Sequence, residues 1–96
     1  MGFIQVLKIE ASDYAALEAL HERWLADSAG QRTVTSLRIC RDRDHPNTYF
    51  LIVEFPSYEA AMKNNELPAT AKIAEGLAAL ADEPVEFRNL DLIRAD

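Results

Sequence analysis

Between Thr48 and Phe55 the chain reads Thr-Tyr-Phe-Leu-Ile-Val-Glu-Phe, with apolar side chains at odd and even positions alike. Successive side chains of a strand point to opposite faces. A strand of this kind is stable only when both of its faces are covered. Pro56 ends it, since proline has no N–H to give to a further ladder bond. Whatever the chain folds into must therefore place one layer on each side of this strand.

The neighbouring segments say what those layers are. Residues 3 to 9 (Phe-Ile-Gln-Val-Leu-Lys-Ile) are rich in β-branched and aromatic types and form a first strand. Ser12 or Asp13 can cap a following helix, which runs from about Tyr14 to about Ser28 and is ended by Gly30. At ~100° per residue, Tyr14, Leu17, His21, Trp24, Leu25 and Ser28 share one side of that helix. Residues 32 to 41 form a second strand, and the turn residues of 42 to 47 (Asp-Arg-Asp-His-Pro-Asn) fold it back on residues 48 to 55 as an antiparallel hairpin. Ser57 caps a helix that starts at Tyr58. Asn64-Asn65-Glu66-Leu67-Pro68 interrupts it, because Pro68 holds Leu67 extended. A third helix follows, with Ile73, Leu77 and Leu80 on one stripe and many alanines around them. Asp82-Glu83-Pro84 stops it, and residues 85 to 93 form the last strand.

The order β-α-β-β-α-β, with its second helix broken in two, predicts an α+β fold of the ferredoxin-like type: a four-stranded antiparallel sheet with helices on one face. With 96 residues there is room for one such domain, residues 1–96, and for no second one. The uncovered sheet face is then left to a second copy of the chain, which predicts a homodimer packed sheet to sheet.

Charge narrows the partners. The formal net charge is −6, which argues against nucleic acid and against an anionic membrane surface. The basic residues Arg38, Arg41 and Arg43 are interrupted by Asp42 and Asp44. The single cysteine, Cys40, excludes an internal disulfide, no apolar run approaches the ~20 residues of a membrane span, and no secretory leader is evident. The expected location is the cytoplasm. His21, His45 and Cys40 show no metal-ligand spacing, so no metal is expected. The three glycines, at 2, 30 and 76, make no phosphate-binding loop.

The stretch Val53-Glu54-Phe55, Ser57-Tyr58-Glu59-Ala60-Ala61, the break at Asn64 to Pro68 and the closing Phe87-Arg88-Asn89-Leu90 resemble the dimeric α+β barrel proteins of the antibiotic-biosynthesis monooxygenase-like group. The resemblance extends over nearly the whole chain. It implies a pocket between helices and sheet in each subunit. It also implies an activity drawn from that group, such as cofactor-independent oxygenation of aromatic polyketides, haem degradation or isomerase-like chemistry. Several active members of the group carry a histidine at the helix break, where this chain offers Asn64, Asn65 and Thr70. Some oxygenases of the group use Asn, Trp and Tyr near the substrate.

Six residues are the candidates for a site. His21 and Asn65 are the expected catalytic groups, and Trp24, Arg38, Tyr49 and Asn64 the expected substrate contacts. His21 lies within an apolar helix stripe and is either a proton shuttle near neutrality or a satisfied core imidazole. Trp24 either stacks on a flat ligand or fills the core. The phenol of Tyr49 either orients a ligand hydroxyl or reaches water. Asn64 and Asn65 either cap the broken helix or turn an amide toward a ligand carbonyl or enolate oxygen. Arg38, Arg88 and Glu54 form an Arg–Glu pair across a dimer or an anion site. Two functions are compatible with this set. One is a cofactor-free monooxygenase or isomerase acting on a small apolar, aromatic or enolisable molecule that itself supplies the electrons. The other is a non-catalytic, dimeric ligand-binding or stress-associated module.

Overall fold

The computed structural model describes residues 2–96. Its elements run β1 (Phe3–Glu10), α1 (Tyr14–Asp27), β2 (Ser36–Arg41), β3 (Thr48–Phe55), α2 (Tyr58–Asn65), α3 (Pro68–Leu80) and β4 (Glu86–Asp91). They build one antiparallel sheet in the order β2-β3-β1-β4, the ferredoxin-like arrangement. The two central strands pair along their full length, from Phe3↔Phe55 to Glu10↔Thr48.

The helix boundaries follow from local chemistry. The Asp13 carboxylate accepts from the Ala16 N–H at 3.3 Å and opens α1, while Ser57 accepts from the Ala60 N–H at 3.1 Å and opens α2. Beyond α1 the chain reverses at Gly30, whose φ of +77° lies in the left-handed region. Pro68 starts α3, where its missing N–H costs nothing, and it holds Leu67 at φ −69° and ψ 136°.

Two strands are shorter than the sequence suggests. β2 begins at Ser36 because the backbone just before it is engaged elsewhere. The Thr33 hydroxyl donates to the Ala60 carbonyl at 2.6 Å, and its N–H donates to Asn64 Oδ1 at 3.4 Å. β4 is confined to Glu86–Asp91, since its partner β1 offers ladder positions only from Phe3 to Lys8 on that side.

The register sorts side chains by parity. Odd positions, among them Phe3, Leu7, Ile9, Tyr49, Leu51, Val53 and Phe55, face the helices and form the buried core with Leu17, Ala61 and Leu77. A fully buried side chain of this size contributes about 1.5–3 kcal/mol. Even positions face away. There Ile4, Val6, Phe50, Ile52 and Leu90 form an apolar strip on which this chain places no helix. Ion pairs edge it: Arg38–Glu54 at 3.4 Å, Lys8–Glu86 at 3.5 Å and Arg88–Glu86 at 3.8 Å. The Arg38–Glu54 pair thus closes between neighbouring strands of one chain.

Helices α1 and α3 pack at Gly76, where an added Cβ would come within 2.6 Å of the Leu20 side chain. The glycine sets how closely the two helices approach.

Candidate functional site

Between the helix layer and the inner sheet face lies an open cavity of about 760 Å³. It exists because α3 turns small residues toward the sheet. Thr70, Ala74 and Ala78, spaced four apart and so one above another on the helix, line the cavity with Ala81. Leu37, Leu51, Val53 and Phe55 form its floor, and Phe87, half exposed on the edge strand β4, stands at its border. The lining is mainly apolar with a few convergent polar groups, the usual make-up of a small-molecule site.

One group of polar residues comes from the helix break. Asn64 is 5% exposed. Its Oδ1 accepts the Thr33 N–H at 3.4 Å, and its Nδ2 lies 3.5 Å from Thr70 Oγ1, so the amide is held at both ends. Asn65 also lines the cavity but is exposed. Trp24, 5% exposed, lines the cavity from α1, and its buried indole N–H has no hydrogen-bond partner among the described residues. A buried donor left unmet costs about 1–3 kcal/mol. Further lining groups are Gln5 from β1 and Asp82 and Glu83 from the loop after α3.

The six expected residues divide. Trp24, Asn64 and Asn65 meet at the cavity. His21 lies outside the lining, behind Trp24, with ring centroids 6.1 Å apart and planes 28° apart; its Nδ1 is buried and unpartnered among the described residues. Tyr49 faces the helices but is 3% exposed and roofed by Tyr14 at 5.3 Å, and its phenol oxygen accepts from Arg41 at 3.2 Å. It is a core residue away from the cavity. Arg38 sits opposite Ile52 on the outward face, so strand parity removes it from the cavity altogether. Sequence reasoning missed the alanine face of α3 as a wall; its signal was the four-residue spacing of Thr70, Ala74 and Ala78.

A shallower groove of about 370 Å³ runs between α1 and α3, bordered by Arg23, Asp27, Lys72 and Glu75. Trp24 and Ile73 line both it and the main cavity, and so form the partition between them. Across the Trp24 ring, 5.5 Å from its centroid, sits the Arg32 guanidinium. It is tied to the Leu25 carbonyl at 2.9 Å and the Ser28 hydroxyl at 3.2 Å.

Among the described residues no helix is long and apolar enough to cross a membrane, and no cluster of three or more His, Cys, Asp or Glu could hold a metal ion.

Sheet order, helix layer and cavity define a ferredoxin-like α+β domain with an open cavity beneath its helices. Solved structures of antibiotic biosynthesis monooxygenase-like proteins share that fold. SnoaB of Streptomyces nogalater, a cofactor-independent oxygenase, superposes with a TM-score of 0.83 at 21% identity over 98% of this chain and 95% of its own. That form of SnoaB carries one asparagine-to-alanine replacement. A protein known as an antibiotic biosynthesis monooxygenase matches with a TM-score of 0.75 at 11% identity, covering 96% of this chain and 99% of its own. A Mycobacterium tuberculosis protein gives 0.80 at 14% identity, over 99% and 98% of the two chains. No protein-family model and no curated protein matches the chain by sequence. Identities this low establish a common fold, not a common reaction.

Proposed function

We propose that the chain is a cofactor-independent monooxygenase or isomerase-like enzyme acting on a small, apolar, aromatic or enolisable molecule. The observation that carries this reading is the cavity of about 760 Å³, apolar on its walls, with Asn64, Asn65 and Trp24 on its lining. Donors held in place stabilise negative charge as it develops on an oxygen. An enolate formed from a ring ketone is such an oxygen. In the oxygenase form of the reaction the enolate reduces dioxygen; one oxygen atom becomes a new ring carbonyl at a former methylene and the other leaves as water with the two hydrogens. Asn65 and Asn64 are the groups that meet the ligand, and His21 acts as a positioning residue through the Trp24 ring on which it stacks.

We further propose that the protein works as a homodimer, paired through the strip of Ile4, Val6, Phe50, Ile52 and Leu90, and that it works in the cytoplasm. Similarity of fold to SnoaB, named as a cofactor-independent oxygenase, supports the general kind of activity.

One observation favours the binding-module reading instead. No His, Cys or Tyr among the described residues lines the cavity, so the only carboxylate or imidazole bases there are Asp82 and Glu83. Oxygen uptake with anthrone-type ketones separates the two. An enzyme accelerates uptake above the buffer rate, and Asn65→Ala lowers the rate while ligand still binds. Bound ligand with no turnover for any ketone in the series identifies a module.

A further inference from the structure

Trp24 and Asn64 line the cavity from different helices, and their side chains share no hydrogen bond. What links them is the irregular segment between Gly30 and β2. Arg32 serves α1. Its guanidinium lies 5.5 Å from the centroid of the Trp24 ring and donates to the Leu25 carbonyl at 2.9 Å and to the Ser28 hydroxyl at 3.2 Å. Ser28, fully buried, in turn donates its hydroxyl to the Trp24 carbonyl. Ring and backbone of Trp24 are therefore both held from Arg32. Thr33 serves α2. Its hydroxyl donates at 2.6 Å to the Ala60 carbonyl, the acceptor that α-helix geometry gives to the backbone N–H of Asn64. Its own N–H donates to Asn64 Oδ1 at 3.4 Å. Val34 lies on the cavity lining. Thr35 serves β3, where its N–H and its hydroxyl reach the Glu54 carbonyl at 2.8 Å and 3.1 Å. Four successive residues thus tie two helices and a central strand to one wall.

Given the small-molecule reading of the cavity, on which this inference rests, we propose that residues 32–35 form a strap that sets the shape of the cavity. Arg32 and Thr33 are its positioning residues, and they hold Trp24 and Asn64 in register with one another. Neighbours along the chain, they do not move independently: an Arg32 released from Ser28 draws Thr33 away from Ala60, and both walls loosen together. A ligand that touches both walls favours the closed strap. It gains affinity from a preorganisation to which it contributes no bond itself.

The strap can be tested on the full chain, first without ligand and then with one. The indole N–H resonance of the single tryptophan reports the α1 side, and the Asn64 side-chain amide resonances report the α2 side. Thr33→Val is expected to shift the indole resonance, and Arg32→Met the Asn64 amide, each across the strap. Shifts confined to the near side in both variants overturn the strap. The ligand probe is α-tetralone, a small neutral aromatic ketone, titrated at neutral pH. Thr33→Val is expected to weaken its binding about three- to tenfold, the worth of one hydrogen bond. Thr33→Ser, which keeps the hydroxyl, restores it. Parent-like affinity in Thr33→Val, or failure of serine to restore affinity, overturns the role of the Thr33 hydroxyl and leaves the cavity a ligand site. If Thr33→Val does not fold, Arg32→Met carries the same comparison, and parent-like affinity there overturns the strap. A parent protein that does not bind the probe counts against the small-molecule reading, and the ligand-free shifts then decide the strap alone.

Discussion

The rings of His21 and Trp24 lie 6.1 Å apart and 28° from parallel, and each carries one buried nitrogen with no hydrogen-bond partner among the described residues. Two adjacent unmet nitrogens are unusual, since nearly all buried polar groups are paired. Both nitrogens belong to helix α1 and are shielded from solvent.

Trp24→Phe removes the unmet N–H and keeps most of the ring. Lost packing and relieved desolvation oppose each other, so stability in chemical denaturation should change by no more than about 1 kcal/mol. Trp24→Ala should cost about 3–5 kcal/mol. Ketone binding should weaken in both. A loss above about 2 kcal/mol for the phenylalanine variant would mean that the indole N–H has a partner after all.

The two asparagines should separate stability from activity. Asn64→Ala strips the acceptor from the Thr33 N–H and the contact with Thr70, and should cost about 1–3 kcal/mol in urea unfolding. Asn65 is exposed, so Asn65→Ala should stay within about 0.5 kcal/mol of the parent while lowering turnover. Equal stability losses in the two variants would contradict the different anchoring described here.

Much of this architecture was legible in the chain, and the reasons are local. Asp13, Ser57, Gly30 and Pro68 act through backbone geometry within a few residues, so the helix limits they set can be read directly. The two-sided apolar character of residues 48 to 55 carries the sheet and its bare face. The site was harder. Arg38 and Tyr49 looked available because a strand's parity relative to the core is fixed only by pairing partners distant in sequence, such as Ile52 for Arg38 and Ile9 for Tyr49. Thr33, which anchors Asn64 across 31 positions, gave no sequence signal at all.

Ala78→Leu should fill the cavity. Three added carbons enter space that is already open, so melting temperature should hold or rise by a few degrees while α-tetralone binding disappears. Retained binding would place the ligand elsewhere, with the α1–α3 groove the next site to map.

Ile52→Lys tests the outward face. Its cross-strand neighbours are Val6 and Arg38, so the new charge meets an apolar residue and a like charge. Sedimentation velocity at micromolar concentration should show a dimer for the parent and a monomer for the variant. A monomeric parent would remove the proposed pairing.

The β2–β3 turn should respond to acid. Asp42 accepts the Asp44 N–H at 2.9 Å and pairs with His45 at 3.4 Å, and the Asp44 hydrogen bond, foremost, holds its carboxyl below the ordinary value of 3.8. A depressed folded-state value means that the contribution is present above the unfolded-state value and is lost as pH falls through the folded one. Carboxyl NMR titration should place the Asp42 midpoint below 3.8, with turn amides exchanging faster beneath it. A midpoint at or above 3.8 would show the turn bond to be absent in solution.

The sheet order carries a kinetic consequence. β2 and β3 are neighbours in sequence and can zip through their own turn, but β1 must find β3 across 38 to 52 residues and β4 across 78 to 88. The strand that comes first along the chain is thus anchored on its free side only by the strand that comes last. Loop-closure entropy delays such distant contacts until nearer ones exist. The hairpin is therefore the natural nucleus, and docking of β1 and then β4 the slow closing step, during which the two-sided apolar face of β3 stands open to other chains.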